Sequence, residues 1–107
     1  MNRVIFTKMV AELLNYMIKN NDFPVIDYCI RSAEEQKRLF DKGLSKCDGY
    51  KIKSKHQLGL AIDIYLADNK GNIQFNWNKD KAIFYHKYWE QLGGKKMIEW
   101  DLPHFEL

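Results

Sequence analysis

The spacing of apolar residues along the chain predicts three helices. Near the N-terminus, four apolar side chains recur at helical intervals: Phe6, Val10, Leu13 and Met17. They predict an amphipathic helix over residues 3–19 that packs on the core. A capping-box pattern that begins at Ser32 opens a second helix, which Gly43 closes. The third helix is expected to run from a cap at Asn78 to a stop at Gly93.

Short apolar runs between these helices predict the strands. They cover residues 25–30, 60–66, 97–100 and 104–107, and Pro103 separates the last two. Residues 44–58 are expected to form a loop with a turn at Asp48-Gly49, and residues 68–72 a tight turn. The order of elements predicts the α+β class: a small, mostly antiparallel sheet with about three helices packed against it.

Length and composition are those of one globular domain, which we expect residues 1–107 to form. Of the 107 residues, 46% are hydrophobic and 14% aromatic, which excludes a disordered chain. The net charge of +3 is too small to indicate a nucleic acid as partner, and none is expected. The stretch that includes this predicted loop is nevertheless basic, since only Asp48 accompanies its lysines: Lys42, Lys46, Lys51, Lys53 and Lys55. Such a cluster suits an anionic polymer or is simply solvated.

The cysteines and the N-terminus indicate where the chain is made. Cys29 and Cys47 lack metal-ligand spacing, and we expect free thiols in a reducing compartment. Residues 1–10 resemble neither a signal peptide nor part of a membrane span. Synthesis in the cytoplasm, without membrane insertion, is therefore expected.

Two histidines and two aspartates form the most informative pattern. His56 and Asp63 are seven residues apart, and Asp101 and His104 follow near the C-terminus. An ionised carboxylate in an apolar strand, such as that of Asp63, is costly unless it is paired or bound to a metal. Two imidazoles and one carboxylate are suitable ligands for a catalytic zinc ion that keeps its fourth position for water. The remaining carboxylate, Asp101, is then free to take a proton from that water and to donate it later.

Side-chain direction decides whether these groups can meet. In a strand over residues 60–66, Asp63 lies on the face opposite the apolar side chains and so points into a cleft. Strict alternation would send Asp101 and His104 to opposite faces of their own segment. Pro103 and the extended conformation it favours in the preceding residue are expected to break that alternation, so that both side chains converge.

Two further residues are candidates for the surroundings of the site. Arg31, at the end of the strand predicted over residues 25–30, would face the oxyanion of the reaction, or would pair with Glu34 or Glu35. The tryptophans are expected in the core, but Trp100 precedes the proposed base and is also a candidate wall of the cleft.

The third histidine and one glutamate are assigned by their neighbours. His86 lies on the side of the third helix that carries Lys79 and Glu90, and we expect it at the surface. Alternation from His104 places Glu106 on the same strand face, where a supporting contact to the metal ligand is expected.

Three ordered motifs resemble a known family. They are Ile30-Arg31-Ser32-x-Glu34-x-Gln36, Ser54-x-His56-x-x-Gly59-x-Ala61-x-Asp63 and Trp100-Asp101-x-Pro103-His104-Phe105-Glu106. Together they resemble the D-alanyl-D-alanine metallopeptidases, a family that includes phage endolysins which cut the L-alanyl-D-glutamate bond of peptidoglycan. The resemblance spans roughly residues 25–106, which is most of the chain.

The resemblance implies a single zinc peptidase domain, with the fold of hedgehog signalling domains and D-Ala-D-Ala peptidases. Its zinc ion would have three protein ligands: His56, Asp63 and His104. It makes Asp101 the catalytic base and Arg31 a catalytic residue that steadies the substrate or the oxyanion. Ser54 would hold the ligand loop or contact the substrate, and Trp100 is the second candidate for substrate binding.

The same resemblance distinguishes several activities. Relatives that act on D-Ala-D-Ala often carry Glu at the base position, so Asp101 favours the endolysin branch and a peptidoglycan stem peptide as substrate. A D,D-carboxypeptidase or dipeptidase on the same site is the first alternative. A zinc-containing binding module without hydrolysis, as in hedgehog domains, is the second. We expect a monomer that reaches the wall after holin-type release from the cytoplasm.

Overall fold

Seven regular elements make up the fold, and the computed structural model describes residues 1–107. The helices are α1 (Asn2–Lys19), α2 (Ala33–Asp41) and α3 (Lys79–Gln91). The strands are β1 (Phe23–Ile26), β2 (Ala61–Ala67), β3 (Ile73–Gln74) and β4 (His104–Glu106). Three helices with a small antiparallel sheet confirm the predicted α+β class. None of the three helices is long and apolar enough to cross a membrane.

The sheet is built on β2, which pairs antiparallel with each of the other strands. In the ladder between β2 and β4, Asp63 lies opposite His104, and Ile62 lies opposite Phe105. Residues directly opposite each other in an antiparallel pair project from the same side of the sheet, with Cβ atoms about 5 Å apart. The register therefore sets a carboxylate beside an imidazole on one face and two apolar side chains together on the other.

The apolar face of β2 supports the core. Ile62 and Ile64 are buried, while Asp63 between them projects to the opposite face. The core cluster joins α1, β2, α3 and β4 through nine buried side chains: Phe6, Met9, Leu13, Met17, Ile62, Ile64, Tyr85, Trp89 and Phe105. Packing of this kind holds β2 and β4 in a fixed register, and with them the polar side chains of the opposite face.

Both predicted helix caps are present. The Ser32 hydroxyl oxygen accepts a hydrogen bond from the backbone N–H of Glu35 at 3.1 Å, and the Asn78 side chain accepts one from Lys81 at 3.0 Å. Each cap satisfies an N–H that has no partner within its helix. Arg31 immediately precedes the cap at Ser32. The start of α2 therefore also fixes the position of the Arg31 backbone, from which its side chain extends.

The basic loop is irregular as expected. Residues 44–58 contain no helix or strand, and the Asp48 carboxylate accepts backbone N–H groups of Tyr50, Lys51 and Ile52 at 2.9 to 3.0 Å. These bonds lower the pKa of Asp48. The single acid of the loop is thus engaged by the turn, and none of the loop lysines forms an ion pair.

Two strand predictions are corrected by the structure. The strand predicted over 25–30 ends at Ile26. Residues 97–100 form no strand; they lead into turns in which the Asp101 N–H donates to Ile98 O at 3.0 Å and the His104 N–H donates to Asp101 O at 3.1 Å. These local bonds occupy backbone groups that a strand would offer to a neighbouring strand.

Two side-chain predictions are also wrong. His86 is only 2% exposed, because the segment before β4 covers this side of α3: its Nε2 bonds to Leu102 O at 2.7 Å and its ring stacks on Phe105 at 4.0 Å. Trp100 is 87% exposed and so does not belong to the core. It lies inside the turn closed by the bond from the Asp101 N–H to Ile98 O, in the irregular segment that precedes β4.

Candidate metal centre

Three side chains from separate segments converge on one point. His56, Asp63 and His104 each offer one ligand atom, and these atoms all lie within 4.8 Å of one another. Asp63 Oδ1 is 3.3 Å from His56 Nε2 and 3.3 Å from His104 Nδ1. The three predicted ligands therefore come together as a group that can hold a metal ion.

The backbone brings each member to the group in a different way. Asp63 and His104 meet because they are opposite each other in the β2–β4 ladder. His56 arrives from the loop before β2, where Gly59 turns the chain with a φ of +71° and donates its N–H to His56 O at 3.2 Å. A Cβ at Gly59 would come within 2.7 Å of the Arg3 side chain. Glycine is thus favoured at this turn by its backbone conformation, since the flexible Arg3 side chain could move away from a Cβ.

Hydrogen bonds behind the rings aim the imidazoles at the centre. His56 Nδ1 lies 3.0 Å from Cys29 O, and His104 Nε2 lies 3.0 Å from Glu106 Oε1. A carbonyl or carboxylate oxygen only accepts, so in each ring the nitrogen behind the centre carries the hydrogen. In the neutral imidazoles the other nitrogen then presents its lone pair toward Asp63, which is the tautomer that metal ligation requires. The expected supporting contact of Glu106 is confirmed.

The charge state of Asp63 suits the same purpose. Burial opposes its ionisation, but hydrogen bonding and charge attraction from His104 and His56 outweigh this and lower its pKa to about 2. Its Oδ1 is buried and has no hydrogen-bond partner of normal geometry. These attractions require protons on the facing nitrogens. With both rings neutral instead, three lone-pair-bearing atoms face one another, an arrangement that is unfavourable unless a metal ion takes the place of those protons. Two nitrogens and one oxygen are a donor set that zinc accepts.

Asp101 stands beside this group without belonging to it. Its Oδ2 is 3.8 Å from His104 Nδ1, and its side chain is less buried than those of the three ligand candidates. Burial and the negative charge of Asp63 raise the pKa of Asp101, partly offset by His104 and Arg31. A carboxylate with a raised pKa accepts a proton more readily than an ordinary aspartate. The convergence of Asp101 and His104 follows from the turn between them, rather than from a strand interrupted at a proline.

Arg31 is held by two side chains in the wall of the cleft. Its Nη1 donates to Gln36 Oε1 at 2.8 Å, and its guanidinium carbon lies 4.3 Å from the centre of the Tyr28 ring. The alternative pairing with Glu34 or Glu35 does not occur. The Arg31 Nε is buried without a partner, so the guanidinium retains unused donor capacity.

All the predicted site residues line one cleft of about 750 Å³: Arg31, Ser54, His56, Asp63, Trp100, Asp101 and His104. The Ser54 hydroxyl accepts the backbone N–H of Gln57 at 3.2 Å and so shapes the turn that carries His56. Trp100 stands at the rim, where its exposed ring is free to contact a ligand. Three lysines of the basic loop also face the cleft: Lys46, Lys53 and Lys55.

The sequence did not reveal every residue that shapes the centre. The carbonyl of Cys29 holds His56, but a backbone oxygen leaves no mark in the sequence. The ring of Tyr28 under Arg31 and the buried amide of Gln36 were also missed. For Gln36 the sequence did contain a signal, namely its place on the second helix five residues after Arg31. An uncharged polar side chain that is buried at such a position must have hydrogen-bond partners.

Comparisons with known proteins bear on the fold. No family model and no curated protein sequence matches the chain. The solved structures with the same fold include an L-Ala D-Glu endopeptidase, ChiX of Serratia marcescens. It has a TM-score of 0.72 and 21% sequence identity, with 95% of this chain and 77% of that one covered.

Two D,D-peptidase structures also share the fold. One is a mutant of the vancomycin-resistance D,D-pentapeptidase VanY from a VanB-type cassette, in complex with Zn(II). It has a TM-score of 0.68 and 14% identity, with 94% of this chain and 69% of that one covered. The other is VanYB in complex with D-alanine-D-alanine, with a TM-score of 0.64, 15% identity and coverage of 94% and 68%. These similarities establish the fold that the motifs predicted.

Proposed function

We propose that the chain is a zinc-dependent peptidoglycan peptidase that hydrolyses the L-alanyl-D-glutamate bond of the stem peptide. The observation that carries the proposal is the convergence of His56, Asp63 and His104, with both rings aimed at one point beside Asp101. The shared fold with ChiX, itself an L-Ala D-Glu endopeptidase, supports this choice of bond.

His56 Nε2, Asp63 Oδ1 and His104 Nδ1 would hold the zinc ion. When bound, zinc supplies a Lewis acid that polarises the scissile carbonyl and lowers the pKa of water. Cys29 O and Glu106 keep the two rings oriented, and the ionised Asp63 balances part of the charge of the ion.

Asp101 would move the protons of the reaction. It accepts one proton from the attacking water as the new C–O bond forms, and it donates that proton to the amine as the C–N bond breaks. The products are a peptide with a free carboxylate and one with a free amine. Its raised pKa makes Asp101 a better proton acceptor than an ordinary aspartate, which suits a group that must accept the proton and then release it.

Arg31, Ser54 and Trp100 would handle the substrate. Arg31 lines the cleft, and the positive charge of its guanidinium suits it to the negative charge that develops on the carbonyl oxygen. The exposed Trp100 ring at the rim offers an apolar surface to the peptide, and Ser54 offers a hydroxyl in the wall of the cleft.

A D,D-carboxypeptidase is the second candidate function. The fold is shared with VanYB, whose structure contains D-alanine-D-alanine, and the same residues would serve that reaction. An aspartate at position 101 and the similarity to ChiX favour the endopeptidase.

Digestion of purified peptidoglycan separates these activities. We expect the zinc-loaded protein to release stem peptides with a new N-terminal glutamate, identified by mass spectrometry, and a chelator to abolish the release. Free D-alanine would instead establish the carboxypeptidase. Absence of any cleavage across walls of different stem-peptide chemistry would contradict a peptidase and leave a zinc-containing binding module.

A further inference from the structure

Gln36 is a buried polar side chain that does not line the cleft but forms hydrogen bonds with residues that do. It lies on α2 and is 0% exposed. An amide loses its hydrogen bonds to water on burial, so it is retained at such a position only when protein groups replace them. The partners of Gln36 therefore indicate what the residue does.

The amide of Gln36 joins two parts of the cleft. Its Oε1 accepts from Arg31 Nη1 at 2.8 Å, while its Nε2 donates to Ser45 Oγ at 2.8 Å and to Cys47 O at 2.9 Å. A guanidinium only donates and a backbone carbonyl only accepts, so the orientation of the amide is fixed by its partners. Both hydrogens on the nitrogen are used, and the oxygen serves Arg31.

The guanidinium of Arg31 depends on this contact. Its other contact is with the face of the Tyr28 ring, which attracts a cation but allows it to rotate and slide. The hydrogen bond to Gln36 is directional and so sets the plane of the guanidinium. The same plane decides how the guanidinium faces the cleft, which Arg31 lines.

The loop on the other side of Gln36 is seated against α2 with little clearance. Gly49 has a φ of +91°, and a Cβ there would lie 2.8 Å from Ala33 O and 3.2 Å from Gln36 Cβ. The loop then continues to Ser54 and His56. A single buried amide thus links the arginine of the cleft to the loop that carries Ser54 and His56.

We infer that Gln36 is a positioning residue: its amide orients the Arg31 guanidinium toward the substrate and ties it to the loop at residues 45–47. The inference rests on the proposed function, because the orientation of Arg31 matters to hydrolysis only if Arg31 faces the developing charge. It adds a specific requirement, namely a hydrogen-bond acceptor at the Oε1 position.

Two substitutions separate orientation of Arg31 from support of the loop. Gln36→Met has a similar shape and removes both contacts. Gln36→Glu keeps an acceptor for Arg31 and loses the donors to Ser45 and Cys47. Ser45→Ala is the control, since it removes one loop contact and leaves the acceptor in place.

Hydrolysis of a stem peptide is measured per mole of folded, zinc-loaded protein. Gln36→Met should lower kcat by about 100-fold, which is typical of a misplaced catalytic group, with a smaller change in KM. Gln36→Glu should retain most of the wild-type kcat, although it destabilises the loop. In an Arg31→Lys background, Gln36→Met should cost little further kcat, because its effect passes through the arginine.

A second measurement does not depend on activity. The Arg31 Nε–H resonance in a proton–nitrogen NMR spectrum, assigned by its loss in Arg31→Lys, should be sharp and slowly exchanging in the wild type, in Gln36→Glu and in Ser45→Ala. In Gln36→Met it should broaden or exchange rapidly. If the wild type cleaves no peptide, the proposed function fails, and this spectrum still reports whether Gln36 holds the guanidinium.

Two results would overturn the inference. One is a Gln36→Met protein with wild-type kcat and an unchanged Arg31 resonance. The other is an equal loss of kcat in Gln36→Met and Gln36→Glu. Both variants lose the contacts to the loop, but only Gln36→Glu keeps an acceptor for Arg31, so equal losses would mean that Gln36 acts only through the stability of the loop.

Discussion

The three histidines of the chain are all held by hydrogen bonds, yet they belong to two different regions. Each uses one ring nitrogen to donate to an acceptor, and the three acceptors are Cys29 O for His56, Glu106 for His104 and Leu102 O for His86. The regions differ in what the second nitrogen meets. In the cleft it faces Asp63 at 3.3 Å for both rings, whereas in the core the Nδ1 of His86 has no partner.

This difference separates the two histidines proposed as ligands from a structural histidine. Burial and one good hydrogen bond are common to all three rings, so neither feature identifies a metal site. A second nitrogen that faces a buried carboxylate favours one, because such an arrangement is stable only with a cation or a proton between the groups. His86 instead stacks on Phe105 at 4.0 Å with an interplanar angle of 5°, as an aromatic core residue would.

The largest effect is expected on removal of a ligand from the cleft. In His56→Ala, zinc affinity should fall by more than about 100-fold. Loss of a residue that only hydrogen-bonds to a ligand typically lowers affinity by up to about 100-fold, and loss of a ligand itself should cost more. The free energy of unfolding should fall with it, because metal binding is coupled to folding. Competition with a chelating dye and thermal denaturation measure both. A variant that binds zinc as the wild type does would remove His56 from the centre.

Asp101→Asn tests the group beside the centre. The amide has the same shape but cannot take a proton, so kcat should fall by about 10² to 10⁴-fold, the usual contribution of a general base. Zinc content, measured by elemental analysis, should remain at the wild-type level. Full activity in this variant would show that another group is the base, and Glu106, which also lines the cleft, would be the next candidate.

Glu106→Ala probes the contact behind His104. Loss of the acceptor for Nε2–H frees the ring to rotate, and zinc affinity should fall by about 10 to 100-fold. Glu99→Ala is the matched control, since Glu99 is exposed and makes no contact with either histidine. Equal affinities for the two variants would argue that the bond from His104 to Glu106 does not orient the ligand.

His86→Phe should affect stability and leave the metal centre alone. It keeps an aromatic ring against Phe105 and loses the bond to Leu102 O, which should cost about 1 to 2 kcal/mol of the free energy of unfolding. Denaturant titration of the zinc-loaded proteins measures this, and zinc affinity should stay within a few-fold of the wild type. If zinc affinity fell as far as it does in His56→Ala, His86 would belong with the ligands, and the distinction between it and the two histidines of the cleft would be wrong.

The wild type and His86→Phe should also differ in how their free energies of unfolding change at acidic pH. Burial lowers the pKa of His86, although the bond to Leu102 O works against this shift. Below about pH 6.5 the unfolded chain therefore binds a proton that folded His86 resists, so stability falls as the pH drops. Unfolding measured between pH 7 and pH 5 should show a smaller loss for His86→Phe. An equal loss would mean that His86 is protonated in the folded state as easily as in the unfolded one.

The sequence was sufficient for the residues whose placement follows from local rules. Alternation along β2 put Asp63 on the face opposite Ile62 and Ile64, and alternation along β4 put Glu106 beside His104. Helix periodicity and the cap at Ser32 located α1 and the start of α2. These features depend on neighbours only a few residues away.

The errors concern contacts between distant segments. His86 looked exposed because it shares a helix side with charged residues, and only the segment before β4, about sixteen residues later, covers it. Trp100 was expected in the core because of its size, but it lies in an irregular segment before β4 and is 87% exposed, with no distant segment covering it. The role of Cys29 is that of a backbone carbonyl, for which the side chain carries no information.

X-ray absorption at the zinc edge tests the central claim most directly. The protein would be loaded with one equivalent of zinc and its first coordination shell determined. The account predicts two imidazole nitrogens and a carboxylate oxygen at about 2.0 to 2.2 Å, with the remaining position filled by a light atom such as a water oxygen. Sulfur at about 2.3 Å, which only a cysteine or methionine side chain can supply, or a shell with no imidazole, would contradict it.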